Sequence, residues 1–168
     1  PYQPEISQGT LQAIFEFQTL IANLTGMEVS NASHYDGATA AAEAGLMAYH
    51  HFRGKRPKII ISSSVNPEYR EVMCSYLCGY ENMKLVSVED KADLKESPDQ
   101  LSDRLDDQTA LVMVQYPDFF GRINDFHKLV RKSHEIGALI AFIVNPTALG
   151  ILKTPGELGA DIVVGEGQ

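Results

Sequence analysis

The stretch Ala138-Leu139-Ile140-Ala141-Phe142-Ile143-Val144 is a continuous apolar run without a single charge. A short apolar run rich in Ile, Val and Phe is typical of a strand that is covered on both faces, as in a parallel sheet. Similar runs occur at residues 58–62, 84–88, 110–114 and 161–164. We therefore predict that residues 138–144 form one strand of a buried, mainly parallel sheet.

Helical patterns alternate with these strands. A first amphipathic helix carries Leu11 to Leu24 and ends at Gly26, which suits the residue after a helix. Strands that alternate with helices predict a doubly wound α/β fold, and no linker divides residues 1–168, so we expect a single domain. We also expect helices at about 36–52, 66–80, from Ser97, 125–136 and from Thr154, and a short strand at 27–31.

Composition limits the partners. A hydrophobic share of 44% over 168 residues suits a soluble domain, and a net charge of −8 opposes binding to nucleic acid or anionic membranes. The start at Pro1 shows no targeting features, so a cytoplasmic location is expected, and the stop just after a strand suggests a truncated fragment.

Cys74 and Cys78 match no redox or metal motif, so we expect reduced, partly buried thiols and no metal site.

The best candidate binding segment follows the first predicted strand. Ligands of open α/β sheets bind beyond the carboxyl ends of the strands. There Ser33, Asp36, Gly37, Ala38 and Thr39 offer small residues at a helix start, where backbone N–H groups could face a phosphate, although Asp36 would repel it. The alternative is a plain helix cap, Ser33-x-x-Asp36.

Further polar residues follow later strands. Asp118, Asn145 and Glu166 are expected to share one edge of the sheet with Ser33 and Asp36. Asp118 or Glu166 could act as a catalytic carboxylate, but Asp118 also suits a Pro-Asp turn and Glu166 an exposed position between glycines. No dinucleotide, P-loop or hydrolase motif is present.

Several segments together resemble the glycine cleavage system P protein family. They are residues 1–9, the run from Phe17 to Gly26, residues 31–33 with 36–40, and Gly159-Ala160-Asp161-Ile162-Val163-Val164-Gly165-Glu166-Gly167-Gln168. Within that family the chain is most similar to subunit 1 of the split bacterial type, the alpha subunit of decarboxylating glycine dehydrogenase. The resemblance implies the large domain of a fold-type-I transferase that depends on pyridoxal phosphate.

The resemblance also implies an activity. In the family, pyridoxal phosphate supports decarboxylation of glycine, and the aminomethyl group passes to the lipoyl arm of the H protein. A complete site would need a lysine after the strand 161–164 and an aspartate where this chain has Asn145. Both departures suit subunit 1, so we expect no catalytic residue here, only a degenerate cofactor site at Ser33 to Thr39, and the cofactor on subunit 2.

The N-terminal segment is a candidate to reach the partner's active site. Tyr2, Gln3, Glu5 and Gln8 are polar groups among prolines, which favour a stiff extended arm. An ordinary polar terminus remains the alternative. Two other interpretations of the whole chain are a self-sufficient aminotransferase or desulfurase relative with its lysine beyond Gln168, and a non-catalytic scaffold subunit.

Overall fold

A five-stranded parallel sheet forms the centre of the protein, in a computed structural model that describes residues 3–87 and 96–167. The strand order is β2-β1-β3-β4-β5, and every neighbouring pair is parallel. Because parallel strands need crossover connections, this order confirms the α/β class. The strands are β1 (Lys58–Ile61), β2 (Lys84–Val86), β3 (Thr109–Tyr116), β4 (Leu139–Val144) and β5 (Ile162–Gly165).

The sheet is wound in two directions. From β1 the chain runs outward to β2, then returns to the other side of β1 and continues through β3, β4 and β5. Strands β1 and β3 therefore flank the point where the order reverses, where such folds place ligands. The helices are α1 (Pro4–Thr25), α2 (Gly37–His51), α3 (Pro67–Leu77), α4 (Pro98–Ser102) and α5 (His127–Glu135), and a 3₁₀ turn covers Pro146–Gly150.

Both faces of the sheet are covered by helices. Ile59 and Ile61 of β1 pack with α2 and α3 in one core cluster. Ile60, which points to the other face, packs with Leu101 of α4 and Leu129 of α5 in a second cluster. Alternating side chains of each strand thus enter opposite cores, which explains the continuous apolar runs in the sequence. The doubly wound prediction is confirmed.

Most helix ends lie where the capping residues in the sequence predicted them. Gly26 has a left-handed φ of 71° directly after α1, as the residue after a helix often requires. The Asn66 side chain accepts a hydrogen bond from the Glu68 N–H at the start of α3. Ser97 and Gln100 form the predicted reciprocal capping box of α4. The strand predicted at 84–88 begins as expected, and its last residue lies outside the described residues.

Two short elements were predicted wrongly. Residues 27–31 form no strand: Val29 is 83% exposed, and the Ser30 carbonyl accepts a hydrogen bond from the Gln18 side chain instead of from a neighbouring strand. The segment from Thr154 forms turns instead of a helix, although Thr154 and Glu157 make the cap hydrogen bonds. The close approach of this segment to the end of α1 explains the difference, because the Gly156 N–H donates to the Thr25 carbonyl.

The extended N-terminal arm was also predicted wrongly over its described part. Gln3 is the N-cap, and Glu5 and Gln8 lie in the first turns of α1, while Tyr2 lies outside the described residues. Pro4 explains this start, because a proline in the first helical turn has no N–H to leave unpaired.

Within the described residues, no helix combines the length and the hydropathy that crossing a membrane requires.

The two cysteines are free and exposed, not partly buried as predicted. Helix α3 turns Met73 and Leu77 into the core. Cys74 and Cys78 each follow one of these residues, about 100° further around the helix axis, so their thiols fall outside the buried side.

Candidate functional site

A pocket of about 250 Å³ opens at the carboxyl ends of the strands. It lies beside the reversal point between β1 and β3 and extends past β4 towards β5. Ile143, Val144 and Pro146 supply its apolar wall. Its polar lining residues are Asn66, Tyr69, Gln115, Asn145, Thr147 and Glu166.

Most of these polar groups lie at or directly after the carboxyl ends of strands. Gln115 is the next-to-last residue of β3, Asn145 directly follows β4, and Glu166 directly follows β5. Asn66 is the N-cap of α3, reached by the chain soon after β1. Since parallel strands all end at one edge, four separate segments meet there.

Glu166 links three elements of the fold. Its Oε1 atom accepts hydrogen bonds from the Gly37 N–H and the Tyr69 hydroxyl, both at 2.8 Å. Burial raises the pKa of the Tyr69 phenol, and the bonded Glu166 carboxylate and the nearby Asp36 charge raise it further. Tyr69 therefore stays a protonated donor, and Glu166 is a half-buried anchor, not the exposed residue that its flanking glycines suggested.

The start of α2 is occupied by the protein's own carboxylates. Asp36 is the N-cap, and its Oδ1 atom accepts from the Thr39 N–H at 2.7 Å and from the Thr39 hydroxyl at 2.8 Å. These bonds hold the pKa of Asp36 below its usual range, with the Thr39 N–H as the main cause. With Glu166 on the Gly37 N–H, two backbone donors that a phosphate would need are already paired.

The segment from Ser33 to Thr39 is only partly arranged as predicted. The plain helix cap that the alternative predicted is present, but the N-cap is Asp36, paired with Thr39, and not Ser33. Ser33 has a φ of 140°, is exposed, and makes no described contact with the pocket. Gly37 and Ala38 are buried in the first turn of α2. Binding of a cofactor by these residues stays a prediction.

Asp118 belongs to a separate polar cluster on the same edge. Its side chain is 1% exposed and pairs with the Arg122 Nε at 2.7 Å, while the Arg122 Nη2 donates to the Ser64 hydroxyl. The Asp118 carboxylate also accepts the backbone N–H groups of Phe120 and Arg122. This set, Ser64, Asp118 and Arg122, is called the Asp118 cluster below. It closes a turn, as the Pro-Asp interpretation expected.

The shared edge is confirmed for four of the five predicted residues. Asn145 and Glu166 line one pocket, Asp36 lies next to the Gly37 that binds Glu166, and Asp118 follows β3 at the same end. In residues 3–87 and 96–167, no three His, Cys, Asp or Glu side chains are grouped closely enough to hold a metal ion.

Sequence reasoning missed Tyr69 and Asn66 as lining residues. Asn66 was recognised only as a helix cap. Tyr69 gave no local signal, because its position depends on how α3 packs against α2 and the end of β5. The lone indication was that α3 begins just after β1, at the edge where ligands bind.

Comparisons with known proteins place the chain in one family. The model of the family described as glycine cleavage system P-protein matches residues 1–168. Proteins named probable glycine dehydrogenase (decarboxylating) subunit 1 from Thermomicrobium roseum and from Desulforamulus reducens are each 52% identical over 168 residues. Those matches cover all of this chain and 37% of each relative, so the chain spans little more than a third of their length.

Solved structures agree with the sequence matches. A crystal structure of glycine decarboxylase (P-protein), in an inhibitor-bound form, has a TM-score of 0.86 and 43% identity, over all of this chain and 37% of that one. A cystathionine gamma-lyase from Lactobacillus plantarum has a TM-score of 0.64 at 19% identity, over 88% of this chain and 36% of that one, and supports the fold alone. Residues 1–168 therefore belong to the glycine cleavage system P-protein family.

Proposed function

We propose that this chain is part of a glycine dehydrogenase (decarboxylating) subunit 1, which supports glycine decarboxylation without supplying the catalytic groups. The observation that carries the proposal is the 52% identity, over the whole chain, to relatives that bear this name. In the proposed reaction, glycine loses its carboxyl group, and the aminomethyl group passes to the lipoyl arm of the H protein. We also propose that residues 1–168 form one α/β domain and that the protein is cytoplasmic.

Pyridoxal phosphate is the cofactor that the family implies, and the residues of this chain do not fit it. The Gly37 and Thr39 N–H groups are paired with carboxylates, and among residues 3–87 and 96–167 no Lys or Arg lines the pocket. Asn145 stands where a carboxylate would be needed to hold a proton on the pyridine nitrogen. We therefore place the cofactor on subunit 2.

Helix α1 is the surface that we propose for contact with subunit 2. Ile6 is 77% exposed, and Phe15 and Leu20 are each 67% exposed. Exposed apolar side chains on a single helix are typical of a surface that another chain covers. An interface of more than about 1,000 Å² is expected for a specific complex. The polar residues Gln3, Glu5 and Gln8 would lie at its outer end, and Tyr2 precedes them in the sequence.

The assignment can be tested with the full-length polypeptide that contains residues 1–168. We expect glycine decarboxylation only when subunit 2, pyridoxal phosphate and H protein are all present. Borohydride reduction followed by mass spectrometry should find the reduced cofactor on a lysine of subunit 2 and none within residues 1–168. Decarboxylation by the polypeptide without subunit 2 would contradict the proposal and favour a self-sufficient enzyme.

The contact proposed for α1 has its own test. Tyr2→Ala and Glu5→Ala should each lower the decarboxylation rate of the assembled complex if these residues reach the active site. Glu135→Ala, an exposed change at the end of α5, is the matched control and should leave the rate unchanged. Normal rates in both variants would remove this contact while leaving the family assignment intact.

A further inference from the structure

Helix α3 carries two cysteines that are not among the residues lining the pocket. Cys74 and Cys78 are both free and exposed, although free cysteine is among the most buried residue types. The Cys78 N–H donates to the Cys74 carbonyl at 3.0 Å, so the helical path continues through both residues and places them one turn apart. Side chains four positions apart lie on the same side of a helix. The two thiols therefore face solvent side by side.

The packing of α3 fixes this arrangement. Met73 and Leu77 are fully buried, so one side of the helix is anchored in the core. Cys74 and Cys78 each follow one of these residues and cannot turn inward without pulling it out of the core. The Cys78 Sγ donates a weak hydrogen bond to the Ser75 carbonyl at 3.3 Å, which a bound ion can replace. Both sulfur atoms are thus held outward at a fixed spacing.

A disulfide does not suit this spacing. The Cβ atoms of helical neighbours four positions apart are about 5–6 Å from each other, whereas a disulfide needs a separation of about 3.5–4.5 Å. Closing the bond between Cys74 and Cys78 would therefore unwind the end of α3. An ion between the two sulfur atoms suits the spacing better, because two metal–sulfur bonds of about 2.3 Å form a longer bridge than one sulfur–sulfur bond.

From this geometry we infer that Cys74 and Cys78 bind one monovalent copper ion, Cu(I), as a bridge between their two thiolates. Thiolates are the soft ligands that Cu(I) prefers. In residues 3–87 and 96–167, no third His, Cys, Asp or Glu joins these two in a group that could hold a metal ion, and Cu(I) is satisfied by two thiolates in line. Each thiol releases its proton to solvent as its bond to copper forms, and the copper stays monovalent. This inference does not depend on the proposed function.

Other ions fit this pair less well. Structural zinc takes four ligands in a tetrahedral arrangement, and the pair supplies half of them. Calcium and magnesium take oxygen ligands and need about six of them. The spacing of Cys74 and Cys78 matched no metal motif in the sequence because the zinc motifs combine four Cys or His ligands. An ion that two sulfur atoms satisfy is the one that this face of α3 can hold.

Competition for Cu(I) between the full-length polypeptide and the coloured chelator bicinchoninate tests the inference, without oxygen and with ascorbate as the reductant. The wild type should hold about one equivalent of Cu(I) more than Cys74→Ser, Cys78→Ser or the double variant, because a single thiolate cannot form the bridge. Ser75→Ala, an exposed change on the same helix, is the control and should hold as much Cu(I) as the wild type. Alkylation followed by peptide mass spectrometry should show that Cu(I) protects both cysteines together.

Moving one thiol along the helix tests the geometry itself. Glu71→Cys, added to Cys78→Ser, puts the second thiol three positions before Cys74 on the same side of α3, and it should restore most of the lost Cu(I). Ser75→Cys, added to Cys78→Ser instead, puts that thiol about 100° around the helix axis from Cys74 and should restore little. Glu71 and Ser75 are both exposed, so neither change disturbs the core, and circular dichroism checks the fold.

Three results would overturn the inference. One is an equal Cu(I) content in the wild type, Cys74→Ser and Cys78→Ser. Another is a pair of single losses that add up in the double variant, which would mean two independent thiols and no shared ion. The third is equal restoration of Cu(I) binding by Glu71→Cys and by Ser75→Cys, which would mean that the helical spacing of the two thiols has no influence.

Discussion

The pocket and the Asp118 cluster lie at the same edge of the sheet but differ in how completely their polar groups are paired. In the Asp118 cluster, one buried carboxylate has four described donors, from Phe120, Arg122 and Asn124 together with the Arg122 backbone. In the pocket, the Glu166 Oε2 and the side-chain nitrogens of Asn66, Gln115 and Asn145 have no hydrogen-bond partner among the described residues. The first is a buried structural network, whereas the pocket residues are partly exposed, so their remaining polar groups can bind water or a ligand.

This difference shows that position alone does not identify a site. Both clusters follow strands at the edge where α/β folds bind ligands, and both contain a carboxylate that sequence reasoning named as a catalytic candidate. Asp118 cannot serve a ligand without breaking bonds that hold its own turn. Glu166 can, because its anchoring bonds use only one of its two oxygens.

The largest expected effect comes from breaking the closed cluster. Asp118→Ala removes a buried carboxylate and leaves the Arg122 Nε and the backbone N–H groups of Phe120 and Arg122 without their acceptor. We expect the free energy of unfolding to fall by about 3 kcal/mol, because loss of one partner of a buried pair strands the other. Urea unfolding of the full-length polypeptide measures the change.

An exposed aspartate provides the control for that experiment. Asp107→Ala, in the exposed turn before β3, should change the free energy of unfolding by no more than about 0.5 kcal/mol. Equal losses in the two variants would mean that the Asp118 cluster does not stabilise the fold, and the contrast with the pocket would then have no basis.

A second, smaller effect tests the anchoring of Glu166. A Cβ added at Gly37 would collide with the Tyr69 hydroxyl and approach the Glu166 Oε1 within 2.9 Å. Gly37→Ala should therefore destabilise the protein by about 2 kcal/mol, as overpacking does. Urea unfolding of the full-length polypeptide measures the change in the free energy of unfolding.

Gly9 is the matched control, since it also lies in a helix but has nothing within 4 Å of an added Cβ. Gly9→Ala should stabilise the protein by up to about 1 kcal/mol, because alanine has a higher helix propensity than glycine. If Gly37→Ala behaved like Gly9→Ala, the contact of Gly37 with Tyr69 and Glu166 would be wrong.

The fold was predictable because its strongest signals are local. The central strands β1, β3 and β4 are buried on both faces, so their apolar runs stand out in the sequence, as at 138–144 and 110–114. The short stretch 27–31 was misjudged because Val29 and its neighbours have no strand beside them, and a few apolar residues cannot reveal that. Pro4 was read as part of an extended arm, although a proline near a helix start fits either state.

The site was predictable only in part. Asn145 and Glu166 could be named because they directly follow strands, and parallel strands bring such residues to one edge. The role of Tyr69 depends on how α3 packs, and that of Gln115 on the hydrogen bond that its side-chain oxygen accepts from the Asn66 N–H. The spacing of residues in the sequence predicts neither. The same holds for Gly37, whose N–H is paired with a residue 129 positions away.

The smallest expected effect concerns the charge of Asp36, the carboxylate that caps the start of α2. The hydrogen bonds from Thr39 lower the pKa of Asp36 below its unfolded value of about 3.9. A lowered pKa means that the ionised cap contributes stability above the unfolded value and that this contribution is lost as pH falls through the folded value. Asp36→Asn, which preserves an acceptor without the charge, should therefore have a lower melting temperature than the wild type at pH 7, and the difference should vanish in acid. Thr39→Ser retains both donors and should follow the wild type at every pH. A constant difference between wild type and Asp36→Asn from pH 7 to pH 2 would show that the charge of Asp36 does not stabilise α2.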